Sequence, residues 1–137
     1  MNILYCDGAC RNNGTENPIG AWAFIIEVDG SVYSYDTKII VCNVTNNIAE
    51  YMAVLYGCYE AKRLGLKLDR VVSDSQLVIR QLMGEYKINK QELKDYHAAI
   101  SRMSGGMDFE WRNRNDPMLK KCDEACNNAM DLYLDSL

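Results

Sequence analysis

Residues 21–41 read AWAFIIEVDGSVYSYDTKIIV, and how that stretch divides decides the architecture. From Ala21 to Val28 the side chains fall into two alternating sets, Trp22, Phe24 and Ile26 against Ala21, Ala23 and Ile25. Period two is the spacing of a β-strand, and here both sides of the strand are apolar. Asp29-Gly30 is a strong hairpin signal, because a tight β-turn needs residues that tolerate positive φ. Val32 to Val41 then returns as the partner strand. Working back toward the N-terminus, the turn-rich RNNGTENP at 11–18 separates this hairpin from a short apolar run, Ile3 to Cys6. Three strands therefore open the chain as an antiparallel meander.

Beyond the hairpin the period changes. In TNNIAEYMAVLYGCYEAKRLG, residues 45–65, Ile48, Met52, Leu55 and Tyr59 recur at helical spacing, with Thr45 as N-cap and Gly65 as stop. Arg70 to Ser73 forms a short central strand, and Asp74 opens a helix that runs to about Met83. A second helix, Lys90 to Met103, carries Leu93, Tyr96, Ile100 and Met103 on one face. Met107 to Arg112 alternates again, with Met107, Phe109 and Trp111 pointing one way. After a loop containing Pro117, a last helix spans Leu119 to Leu134. The order β-β-β-α-β-α-α-β-α joins later strands through helices, which favours parallel pairing, so a mixed sheet covered by helices is expected. The chain reads as one α/β domain over residues 1–137.

Composition narrows the function. Apolar residues make up 48% and charged residues 25%, an ordinary globular balance, and the net charge of −4 excludes a general nucleic-acid coat while leaving room for a local basic face. No signal-peptide core opens the sequence, since Asp7 and Arg11 come too early, and no apolar run reaches the ~20 residues of a membrane helix. The six cysteines, at 6, 10, 42, 58, 122 and 126, form no C-x-x-C pair, which argues against zinc. Their scatter through apolar segments suggests reduced, packed thiols in a cytoplasmic protein. Asn43-Val44-Thr45 spells a glycosylation sequon, but no secretory signal accompanies it.

Four carboxylates stand out by position. Asp7 follows an apolar run that should enter the core, where an unpaired carboxylate is prohibitive, so it should meet water or a cation. Asp74 sits where a strand gives way to a helix, the end of an α/β sheet at which ligands bind. Glu50 lies between Ala49 and Ala53 on a helix face that should be buried or half-buried, and Asp123 falls early in the last helix. Each also has a local reading: Asp7-Gly8 as a turn, Asp74 as an N-cap, Glu50 and Asp123 as acids near helix N-termini. If the strands bearing Asp7 and Asp74 are parallel neighbours, the carboxylates converge and repel one another at close range. A hard divalent cation with oxygen ligands resolves that conflict. Two such ions about 3.5–4 Å apart can orient a water and stabilise the leaving oxygen of a phosphodiester.

YCDGAC at 5–10, TNNIAEYMAV at 45–54, VVSDSQLVIRQLMGEY at 71–86 and CDEACNNA at 122–129 resemble, in order and spacing, the successive motifs of type 1 ribonuclease H. The resemblance implies a ribonuclease H-like fold, a five-stranded mixed sheet with its first three strands antiparallel, flanked by helices. It implies that Asp7, Glu50, Asp74 and Asp123 are a metal-binding tetrad for Mg²⁺, with Mn²⁺ as a substitute. The implied reaction is hydrolysis of the RNA strand of an RNA·DNA hybrid, leaving 5′-phosphate and 3′-hydroxyl ends, by a monomer without membrane attachment.

The same matching assigns Cys10, Asn12 or Asn13, Asn47 and Gln76 to the hybrid's minor groove, where 2′-hydroxyls distinguish RNA from DNA. Thr45 and Asn46 match a phosphate pocket for the DNA strand at a helix N-terminus, and Thr45 can equally be a plain cap. Two departures are visible. The loop RNRNDPMLK, 112–120, lacks the histidine that many members carry. Arg114 falls where archaeal-type members place an arginine, and Leu119 replaces the usual asparagine. His97, the one histidine, reads as structural on its helix. Secondly, GEYKINKQELKDYHAAI at 84–100 passes from helix to helix with only Lys87, Lys90 and Lys94 and no tryptophan, the compact form without a basic handle. Binding should then be weaker and strongly salt-dependent. Alternative readings are a nuclease of this fold acting on double-stranded RNA or structured DNA, and a non-catalytic nucleic-acid-binding module. A small-molecule α/β domain would want a Gly-rich phosphate loop, which is absent.

Overall fold

The computed structural model describes residues 1–137. Its elements are β1 (Asn2–Arg11), β2 (Ile19–Val28), β3 (Ser31–Ile40), α1 (Asn46–Arg63), β4 (Arg70–Ser73), α2 (Gln76–Leu82), α3 (Gln91–Met103), β5 (Asp108–Trp111) and α4 (Pro117–Asp135). They form one five-stranded sheet in the order β3-β2-β1-β4-β5, with β1–β2 and β2–β3 antiparallel and β1–β4 and β4–β5 parallel. The expected element order and sheet are both present.

The two alternating sets of β2 separate as the period demands. Trp22, Phe24 and Ile26 join one core with Leu4, Tyr51, Val54, Val71 and Ile100. Ala21, Ala23 and Ile25 join a second with Tyr5, Val72, Leu119, Cys126 and Met130. The sheet is thus sandwiched between α1 and α3 on one face and α4 on the other. No helix is long and apolar enough to cross a membrane.

Four local expectations are corrected. β1 does not stop at Cys6: it continues to Arg11, and Asp7 pairs with Ala23 inside the ladder, so Asp7-Gly8 is not a turn. In α1 Ile48 is buried and Met52 and Leu55 pack against the core as expected, but the most buried face is Tyr51, Val54, Cys58 and Ala61, and Tyr59 is 60% exposed. The apolar stripe of that helix is broad enough to fit two faces, and small residues won the side nearest the sheet. The cap of α2 is Ser75, whose Oγ accepts from the Val78 N–H at 3.2 Å, so Asp74 is left outside the helix. Pro117 is not in the loop but opens α4, where its missing N–H costs nothing, behind an Asp116 cap. At the ends of α1 the sequence signals hold. The Thr45 Oγ1 accepts from the Ile48 N–H at 3.2 Å, and Gly65 takes φ +73° just past the C-cap.

Candidate functional site

The parallel register of β1 and β4 ends at Cys6↔Ser73, so Asp7 and Asp74 are the next residue on each of two neighbouring strands. That is the sheet end at which parallel strands deliver side chains to a ligand. Glu50 comes from α1 and reaches the same point because α1 lies directly on β1. A Cβ at Gly8 would overlap the Ala49 and Glu50 backbone, so only glycine allows this approach. The Gly8 N–H donates both to the Asp7 Oδ1 at 3.0 Å and to the Glu50 carboxylate.

Carboxylate oxygens of Asp7, Glu50 and Asp74 lie within 4.8 Å of one another. Burial, then the charge of Asp74, pushes the Asp7 carboxyl up to about 7. Burial and the neighbouring charges of Asp7 and Asp74 raise Glu50 well above its usual range. Asp74 is raised by burial and by Asp123. Three crowded carboxylates that hold their protons too tightly form a site short of positive charge. The donor set, all oxygen and with no thiolate or imidazole in the cluster, suits a hard cation such as Mg²⁺ or Mn²⁺.

Asp123 is not a fourth member of that cluster. It stands exposed on α4, facing the trio across a cleft of about 480 Å³. The cleft is also lined by Cys10, Asn46, Asn47 and Arg114. Asn12, Asn13, Thr45 and Gln76 are not brought into the cleft lining: Asn12 and Asn13 sit in the turn after β1, Gln76 is exposed as the first residue of α2, and Thr45 caps α1. His97 is half-buried on α3, away from the cleft. A larger groove of about 560 Å³ beside Trp22 and Tyr56 balances Asp36 and Glu60 with Lys62 and Arg63 and gathers no such cluster.

Sequence reading missed Asn115 and Lys120, which line the cleft beside Arg114. Lys120 lies one helical turn before Asp123, and that spacing was the available signal. The structure also answers how the 113–116 loop is held without the asparagine. Leu119 is 1% exposed in the α4 core. The Arg112 guanidinium bonds to Glu110 and, at 3.1 Å, to the Asp116 carboxylate, and it lies 5.6 Å over the Tyr5 ring. The Asn115 N–H donates to the Asn113 side chain at 2.9 Å. Arg112 is an anchor, which leaves Arg114 exposed at the rim.

Comparison with known proteins agrees with this geometry. The sequence profile of the family described as RNase H matches residues 1–111. The chain is 30% identical over 134 residues to the bifunctional protein Rv2228c of Mycobacterium tuberculosis, covering 94% of this chain and 35% of that protein. It is 30% identical over 129 residues to ribonuclease HI of Halobacterium salinarum, covering 93% and 63%. It therefore spans about a third of the mycobacterial protein and under two thirds of the archaeal one. The crystal structure of LC11-RNase H1 in complex with an RNA/DNA hybrid superposes with a TM-score of 0.87 at 26% identity, covering 98% of this chain and 99% of that one.

Proposed function

The chain belongs to the RNase H family, and on that premise we propose that it hydrolyses the RNA strand of RNA·DNA hybrids, leaving 5′-phosphate and 3′-hydroxyl ends. The observation that carries this is the carboxylate trio, gathered from β1, α1 and the end of β4 where the parallel β1–β4 pairing stops, and open to a cleft. A module that only bound nucleic acid would gain nothing from retaining a cluster that repels both itself and phosphate.

Asp7, Glu50 and Asp74 would hold Mg²⁺ or Mn²⁺, with Asp123 completing the donor set from the rim. A cation held there would supply the activation of a water and the stabilisation of the leaving oxygen of the phosphodiester. The remaining residues place the substrate. Backbone N–H groups at the α1 N-terminus, beside Thr45 and Asn46, suit a phosphate of the DNA strand. Cys10, Asn12 or Asn13, Asn47 and Gln76 are assigned to the 2′-hydroxyls of the wide, shallow groove. Arg114 can grip a phosphate but cannot take a proton near neutral pH, so its part is charge and position.

The test is a cleavage assay with Mg²⁺ or Mn²⁺ on a hybrid, beside double-stranded RNA and DNA. Hybrid cut faster than either control is the expected result. Equal or faster cutting of double-stranded RNA would transfer the assignment to that substrate, and no cutting of any duplex would reduce the chain to a binding module.

A further inference from the structure

Trp111 is a large apolar side chain left 42% exposed at the end of β5. Its expected partners, Met107 and Phe109, pack against the core, whereas the Trp111 indole turns to the backbone. The Nε1–H donates to the carbonyl of Asp74 at 3.0 Å. Asp74 lies one residue past the last β4–β5 pair, Ser73↔Trp111, and one before the Ser75 cap of α2. No main-chain N–H reaches its carbonyl. The neighbouring Ser73 carbonyl is held in turn by the Arg112 N–H at 3.1 Å. The end of β5 thus clamps the one short turn that aims Asp74.

We propose that Trp111 is a positioning residue for Asp74: its indole N–H pins the Asp74 main chain so that the carboxylate stays aimed into the cleft for a divalent cation. This rests on the metal-binding role given to Asp74 above. A backbone pin of this kind acts through the ligand's freedom to swing, so its loss should weaken metal binding while the fold persists.

Trp22 is the other tryptophan, 5% exposed and stacked on Phe24 and Tyr56 in the opposite part of the sheet. Because Trp22 pairs with Gly8 across the ladder, a metal-dependent change in emission is assigned to Trp111 only where it survives in Trp22→Phe. Mg²⁺ is titrated into the parent, Trp111→Phe and Trp22→Phe, following emission and melting temperature against EDTA. Trp111→Phe should melt within about 2 °C of the parent in EDTA. Its Mg²⁺ midpoint, taken as the concentration that raises the melting temperature by a fixed amount over EDTA, should be about five-fold higher than the parent's, the scale of one net hydrogen bond. The emission change should vanish in Trp111→Phe and persist in Trp22→Phe. An equal Mg²⁺ midpoint in Trp111→Phe and the parent overturns the inference. So does a lower melting temperature in EDTA with an unchanged midpoint, which would make Trp111 part of the fold only. A parent that does not respond to Mg²⁺ sinks the metal-binding reading itself.

Discussion

At the floor of the cleft, Asp7, Glu50 and Asp74 are carried by β1, α1 and the end of β4, and Gly8 brings two of those backbones into contact. At its rim, Arg114, Asn115, Lys120 and Asp123 stand exposed on a loop and on the early turns of α4. The floor charges are costly, and packing holds them in place; the rim charges are solvated and little constrained. The loop without a histidine lies on the rim, where Arg114 is exposed, whereas Leu119 is buried in the α4 core and Arg112 and Asp116 anchor the loop instead. In the floor, by contrast, a change of one atom alters the packing or the charge balance.

The contrast breaks first at Asp74. Asp74→Asn keeps the shape and removes a charge, and cleavage at saturating Mg²⁺ should fall by about 100-fold or more. Retention of more than a few per cent of the activity would mean that the floor is not the metal site. Gly8→Ala is the packing counterpart. Its Cβ has no room against the α1 backbone, so denaturant melts should show a loss of roughly 2–4 kcal/mol. Little or no loss would mean that α1 can lift from β1 and that Glu50 is not held as described.

Floor and rim should also differ in pH dependence. The Asp7 carboxyl stands at about 7 in the folded protein, above the unfolded carboxylate value. The folded state therefore binds that proton more tightly. Its stabilisation is fully present below the unfolded pKa and is lost as pH rises through about 7, so metal-free stability declines across that window. Asp7→Asn should flatten the decline and melt higher than the parent in EDTA at pH 8. It should also gain less from added Mg²⁺. Asp123→Asn, at the exposed rim, should move in the same direction by less. An Asp7→Asn protein that melts lower than the parent at pH 8 would show that the trio is not in conflict.

The smallest effects belong to the rim. Arg114→Ala should lower kcat by about five- to ten-fold with a shallow pH profile, because a guanidinium positions phosphate and does not titrate. Arg112→Ala should cost about 1–2 kcal/mol in stability, since it removes the cation beside Asp116 and leaves Glu110 to Arg70 alone. An unchanged kcat in Arg114→Ala with a loss confined to Arg112→Ala would transfer the loop's role to Arg112.

The sequence by itself determined the element order, the two-sided burial of β2 and the identity of the carboxylates. These depend on local periodicity and on residue types whose chemistry has few uses. Tertiary structure alone decided the rest. Whether β1 ends at Cys6 or passes through Asp7 to Arg11 depends on pairing with β2, and which side of α1 is buried depends on the close approach at Gly8. That Asp123 stays at the rim, that Lys120 shares its cleft and that Trp111 holds the Asp74 carbonyl are contacts between residues far apart in the chain. Periodicity carries no information about such contacts, because it records which face a side chain takes and not what that face meets.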